Sequence, residues 1–376
     1  MLTKSEKTAG RWGIYISFKG MSLVQIGLLE SIFHITSLIF ELPTGAAADI
    51  IGKKFSILIG RSLCIAAAII MAFSNNFYEF AAAFMIHALS YNFDSGASTA
   101  LIYDSLTIMD KEKDYAKIAS NLNFLLEIAQ GASMLLGGVL SDIKFIYAYI
   151  LGIIIQAAAL TASAFFAEPC IKNESHEKNT LSGQIIKSIK ALKDKKILLY
   201  LVLFSAIISV SGTTVYFYCE KYFSNMHYTN TQISFIFVLA SIFAAIFSKL
   251  SCRLEKLLKS KTIIIMISFL SILSILGLAC TKRFTIIFFI LSSSVSGLAT
   301  PILSEYINSN IETEFRATLL SLDSFNFSLF MIFIFPLIGY IADKAGFAAS
   351  FGIMTIVLVP VLAFIVLKIN LFLSES

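Results

Sequence analysis

Eleven stretches of this chain are apolar over roughly the 20 residues that a helix needs to cross the hydrocarbon core of a bilayer. They lie at 24-48, 55-75, 77-105, 116-141, 143-167, 197-220, 231-251, 262-281, 284-308, 317-342 and 346-368. Inside hydrocarbon each backbone N–H and C=O needs a partner, and only a helix or a closed barrel supplies one. Strand-like alternation is absent and the runs are too long for barrel strands, which leaves helices. The chain therefore reads as an all-α membrane protein. Composition agrees, since 57% apolar and 14% charged residues lie outside the range of soluble domains.

The net charge of +5 raises the question of nucleic acid, but the lysines sit between spans with no soluble domain to carry them. Topology accounts for them. If the loop after Asp49 is cytoplasmic, loops on its side hold Lys53, Lys54, Lys111, Lys113, the lysine-rich stretch 172-196, Lys249, Arg253, Lys256, Lys259, Lys261 and Arg316. The opposite loops hold only Lys144, Lys221, Lys282, Arg283 and Lys344. That asymmetry is the positive-inside bias, and it puts the central linker and the C-terminus in the cytoplasm of a cell-membrane protein.

Gly-x-x-x-Asp ends three apolar runs, at Gly45 to Asp49, Gly138 to Asp142 and Gly339 to Asp343, and Ser248 to Cys252 reads as a degenerate fourth copy. Each copy is followed by one more span, as expected for the middle helix of a three-helix repeat. Four triplets need twelve helices, so the first is the one missing. Residues 1-23 hold only Trp12 to Phe18 between Arg11 and Lys19, too short to cross a bilayer and without a signal-peptide cleavage pattern. They read as a remnant or truncated first helix, from a chain lacking a leading segment, with an interfacial or re-entrant piece as the alternative. Residues 24-167 then form an N-terminal bundle and 197-376 a six-helix C-terminal bundle. The polar stretch 168-196 links them, and Ile185, Ile189 and Leu192 predict an amphipathic helix on the cytoplasmic membrane surface.

The segment Gly45-Ala46-Ala47-Ala48-Asp49-Ile50-Ile51-Gly52-Lys53-Lys54 resembles the cytoplasmic loop signature of the major facilitator superfamily, G-x-x-x-D-x-x-G-R/K-R/K. Glu41-Leu42-Pro43-Thr44-Gly45, the stretch Gly96 to Leu106 and Arg316 to Ser321 look similar to a bacterial, drug-exporter-like branch of it. Two departures stand out: Thr99 where that branch carries an acidic residue, and no proline beside Gly131, Gly137 and Gly138 in the fifth family helix. The resemblance implies the major facilitator fold, with substrate bound near the midplane between two bundles and alternating access.

Several polar residues are candidates for that work. Asp49 at a helix C-terminus is unfavourable with the macrodipole and needs compensation from Lys53, Lys54, Arg61, Arg316 or the N-terminus of the span beginning near Ala317. The resemblance favours the last, as a latch, with Gly45 and Gly52 letting backbones approach. Asp104 is placed to pair with Lys53 or Arg61. Glu30, His34, Ser37 and Glu41 follow one another at offsets of four, seven and eleven and so lie on one helix stripe. An ionisable side chain in mid-membrane costs at least about 2.5 to 3.5 kcal/mol and must face a cavity or a partner. That places Glu30, His34 and Glu41, together with Asp94, Glu127 and Asp323, on a candidate proton or substrate path; a buried structural pair is the alternative for Asp94 and Glu127. On the tenth and seventh family helices, Ser292 to Ser304 and Tyr216 with Tyr218 are cavity-lining candidates, against simple helix packing.

No nucleophile elbow, phosphate loop or metal-ligand spacing appears, and the five cysteines and four histidines are scattered. The sequence calls for no catalysis, no metal and no cofactor. The expected function is secondary transport: proton-coupled export of a small, partly apolar or cationic compound by a monomer, with no nucleic-acid partner. Uptake of a nutrient is the alternative, and a non-transporting sensor or partner subunit on the same fold is an alternative of another class.

Overall fold

The computed structural model describes residues 12–111, 114–168, 196–309 and 316–375. Every segment long enough to span is helical, and no strand occurs among the described residues. A short α1 (Trp12–Phe18) is followed by α2 (Leu23–Ile51), α3 (Lys53–Phe73), α4 (Phe77–Ile108), α5 (Tyr115–Ile143) and α6 (Phe145–Ala164). Then come α7 (Lys196–Asn225), α8 (Asn230–Leu257), α9 (Ser260–Cys280) and α10 (Thr285–Ser309). The last helical stretch breaks at Gly346, where φ is 82°, into α11 (316–345) and α12 (347–375).

The eleven expected spans are thus α2 to α12, with boundaries where the turn and capping residues sit. Asn76 caps α4 by accepting from Glu79 N–H, and Thr229 with Gln232 forms a capping box at α8. Several helices run past the apolar pattern: the seventh expected span ends at Ser251, whereas α8 continues to Leu257, its last turn carrying Lys256, whose charge suits the negative end of the helix dipole. The linker expectation over 168–196, with its amphipathic helix, lies outside the described residues except at its two ends.

Two compact units are distinguished. One holds α1, α2 from Leu28 onward, and α3 to α6. In it α3 lies against α4 because Gly60 has no side chain: a Cβ there would sit 3.0 Å from the Ser90 carbonyl. Ser56, fully buried beside that contact, donates to the Phe93 carbonyl at 2.7 Å. With about 10 Å of length, α1 cannot cross a bilayer, yet it is well packed. Tyr15 donates to the Ala72 carbonyl at 2.7 Å and stacks obliquely on Tyr149, and Trp12 meets Phe84 edge-on. Trp12, Ile14, Tyr15 and Ile16 are all buried. Residues 12–18 are thus a packed helical segment set against the ends of α3, α4 and α6.

The other unit holds the first turn of α2, Ser22–Gly27, together with α7 to α12. Gly297 lets α10 press on α8, since a Cβ there would collide with the Ala244 carbonyl. Phe223, Phe237 and Phe289 fill the centre, all fully buried, and Tyr216 packs edge-on against Phe237 at 4.7 Å between centroids.

Candidate functional site

At Gly52 the chain reverses from α2 into α3 within one residue, which is why its φ is +95°, a conformation glycine adopts without strain. The first two amides of α3 are free to bond outside the helix. Lys53 N–H donates to Glu168 Oε1 and Lys54 N–H to Glu168 Oε2, each at 2.7 Å. A carboxylate from beyond the end of α6 therefore caps α3 and meets the positive end of its dipole. A Cβ on Gly52 would lie 3.2 Å from that carboxylate. Gly45 differs: a Cβ there would meet nothing within 4 Å among the described residues. Gly52→Ala is accordingly expected to cost about 1–2 kcal/mol of stability, while Gly45→Ala, in a helix interior, is neutral or gains up to about 1 kcal/mol. Thermal unfolding of the two variants in detergent checks the contrast.

The lysine side chain points elsewhere. Lys53 Nζ forms an ion pair with Asp104 near the end of α4, one of the two pairings foreseen for Asp104. Arg61 instead reaches Asp94 on α4, Nη2 to Oδ2 3.3 Å, and its other terminal nitrogen approaches Gln156 of α6 at 3.4 Å. Ser98 donates to the second oxygen of Asp94 at 3.0 Å. Asp94 is thus held by a cation inside the bundle. Asp49 is exposed on the last turn of α2 and makes no ion pair among the described residues. The side chain of Arg316, one of the cations considered for it, lies outside the described residues, as do those of Glu127 on α5 and Asp323 on α11.

The stripe on α2 divides. Glu30 is 3% exposed and His34 0%, with Oε2 and Nε2 4.0 Å apart. One turn on, Ser37 donates to the Asn92 side-chain oxygen at 2.8 Å, and the Asn92 amide returns a bond to the Ser37 carbonyl at 2.8 Å. Phe33 packs on His87 and Tyr91 of α4. Together these make a buried polar seam between α2 and α4. Glu41 does not share it: it is exposed, near Pro43, whose missing N–H interrupts the helix ladder. Just beyond, Thr44 donates back to the Phe40 carbonyl at 2.8 Å.

On α10, Ser294, Ser296 and Thr300 spend their hydroxyls on carbonyls four residues back, and Gly212 of α7 accommodates Ser296. Tyr218, 2% exposed, donates to the Phe335 carbonyl of α11 at 2.7 Å, and Tyr216 belongs to the aromatic centre. Among the described residues no group of His, Cys, Asp and Glu is arranged to hold a metal ion. Sequence reading missed Glu168, because a cap supplied from 115 positions away leaves no local pattern.

The model of the Major Facilitator Superfamily matches residues 12–322 and 220–373. The uncharacterized MFS-type transporter YxaM of Bacillus subtilis (strain 168) is 24% identical over 378 residues, covering 94% of this chain and 90% of that protein. The inner membrane transport protein YajR of Escherichia coli (strain K12) is 24% identical over 206 residues, 52% of this chain and 44% of that protein. Among solved structures, the nucleoside transporter NupG superposes with a TM-score of 0.80 at 15% identity, covering 97% of this chain and 94% of that one. The D-xylose-proton symporter superposes with a TM-score of 0.67 at 14% identity, covering 91% and 87%. At those identities the likeness is one of fold.

Proposed function

The chain belongs to the major facilitator superfamily, and from that premise we propose that it is a proton-coupled exporter of a small, partly apolar or cationic compound, working by alternating access. The observation that carries this reading is the Glu30 and His34 pair, buried together on α2. Two ionisable groups one turn apart in a membrane helix are costly to keep. A carboxylate and an imidazole one helix turn apart can pass a proton between them by closing to hydrogen-bond distance or through one water, as their surroundings alternate between water and protein. In this reading Asp94, paired with Arg61, supports the α3 and α4 packing, while Lys53 and Asp104 stiffen the motif loop. Glu127 and Asp323 stay on the proposed path by their place on α5 and α11 alone, and Asp49 with Arg316 forms the proposed inner gate.

The lysine and arginine asymmetry places the Gly45 to Lys54 end in the cytoplasm. A single cysteine at Ser175 is expected to escape membrane-impermeant alkylation in sealed right-side-out vesicles; labelling there reverses the orientation. For function, inverted vesicles energised with an inward-acid gradient are expected to accumulate a member of a panel of fluorescent amphiphilic cations. Accumulation in right-side-out vesicles instead turns the proposal to uptake, and Glu127→Gln with unchanged gradient dependence removes Glu127 from the path.

A further inference from the structure

Phe33 stands between two imidazoles. Its ring centroid lies 5.5 Å from that of His34, the next residue on α2, and 5.5 Å from that of His87 on α4, and its side chain is 3% exposed. Ionisable groups kept inside a membrane helix face the bundle interior or a water-filled cavity, and they mark proton relays. Beyond His87 the polar face of α4 continues. Tyr91, Asp94 and Ser98 follow it at offsets of four, seven and eleven, the same offsets that join Glu30, His34, Ser37 and Glu41 on α2. All four α4 residues are half-buried, Phe33 also meets Tyr91 at 6.3 Å, and Ser98 donates to Asp94 at 3.0 Å. From there α4 runs on to Asp104 and its pairing with Lys53, so this face leads from the level of His34 toward the cytoplasmic end. Among the described residues the ionisable groups around His87 are His34 and Glu30 across the Phe33 ring, Tyr91 and Asp94 on its own helix, and Arg61 of α3, which is held on Asp94.

We propose that His87 is the proton acceptor that follows the Glu30 and His34 pair, and that the Phe33 ring is the gate between them. While the ring stands between the imidazoles, no water joins them. When it swings aside, one water bridges the two, and protonated His34 passes a proton through it to a ring nitrogen of His87. His34 is left neutral, and protonated Glu30 recharges it and becomes a carboxylate. The proton then leaves His87 for water along the Tyr91 and Ser98 face. A closed ring keeps protons from crossing in a protein that is not moving its compound. This rests on the proton-coupled reading of the Glu30 and His34 pair, but the gate is tested with no substrate present.

The purified chain is reconstituted into vesicles holding a pH-sensitive dye, an acid step is imposed outside with potassium and valinomycin to cancel the membrane potential, and decay of the gradient is followed. The wild-type protein is expected to hold the gradient. Phe33→Ala is expected to speed its decay roughly tenfold, the rate equivalent of the aromatic contacts with His87 and Tyr91 that the ring must break to move. Adding His87→Asn or Glu30→Gln to Phe33→Ala should return the decay to the wild-type rate. Phe33→Leu, closer in volume and safer for folding, should leak in the same sense by a smaller factor. Wild-type decay in both Phe33 variants overturns the gate, and decay that persists in Phe33→Ala/His87→Asn overturns the acceptor. Escape of an enclosed fluorescent anion alongside the protons also overturns the proposal, because it marks a disrupted bundle instead of a proton path. A leak that depends on His87, in protein that moves no compound, leaves the gate standing and removes the export reading.

Discussion

Replacing Arg61 with leucine is expected to be among the most damaging single changes to stability in the N-terminal unit, costing roughly 2–3 kcal/mol. Breaking a buried ion pair by removing one partner costs about 3–5 kcal/mol, because the other charge is left without compensation. The lower figure applies here because the two side chains keep 31% and 29% of their exposure. Asp94→Leu should cost a similar amount, since it strands the guanidinium on α3. The double variant Arg61→Leu/Asp94→Leu should recover most of either loss, because an apolar pair of similar size fits a helix contact inside a membrane. Thermal denaturation in detergent reads all three, and additive losses in the double variant would show that the pair is not one unit. The cycle also decides what Asp94 does. If the stable double variant still couples flux to the proton gradient, Asp94 is a packing charge; if coupling vanishes in it, Asp94 belongs to the proton path.

The second large effect is on function. Glu30→Gln is expected to reduce gradient-driven flux about a hundredfold, the lower end of what a positioned proton-transfer group contributes. Substrate exchange without a gradient is expected to continue. Glutamine keeps the size and polarity of the site but cannot give up or take a proton, so the change separates coupling from binding. His34→Asn should act in the same direction, because the two groups lie 4.0 Å apart and share one buried environment. Equal loss of driven flux and exchange would assign Glu30 to substrate binding. No loss of either would take the pair out of the transport path and leave it a structural feature of α2.

Much of the fold was legible in the residues because the bilayer admits so few solutions. Long apolar runs bounded by glycine, asparagine, threonine and lysine become helices with those residues at their ends, and even the break between α11 and α12 follows Gly346. One local pairing was also foreseen as an alternative: of the two cations named for Asp104, Lys53 is the one that reaches it. What could not be read is the register between helices. Whether Arg61 meets Asp94 or Asp104 depends on how far α3 slides along α4, and Ser90 with Gly60 settles that through a contact no single-helix pattern contains. The carboxylate caps are illegible for the same reason. Glu168 looks like an ordinary residue at a helix end and Asp343 is marked only as the close of a motif copy, and their partners, the amides of Lys53 and Leu23, are 115 and 320 positions away. Along the stripe on α2 the burial changes, from Glu30 and His34 inside to Glu41 at the surface. Periodicity gives a face, but not the depth at which that face meets water.

The most direct measurement is flux by the purified chain in proteoliposomes under an imposed pH gradient, across a panel of amphiphilic cations, nucleosides and sugars. The account predicts gradient-dependent movement of at least one member of the cation class, abolished by a proton ionophore and by Glu30→Gln. Folded protein that moves no member of the panel in either direction, with or without the gradient, contradicts it.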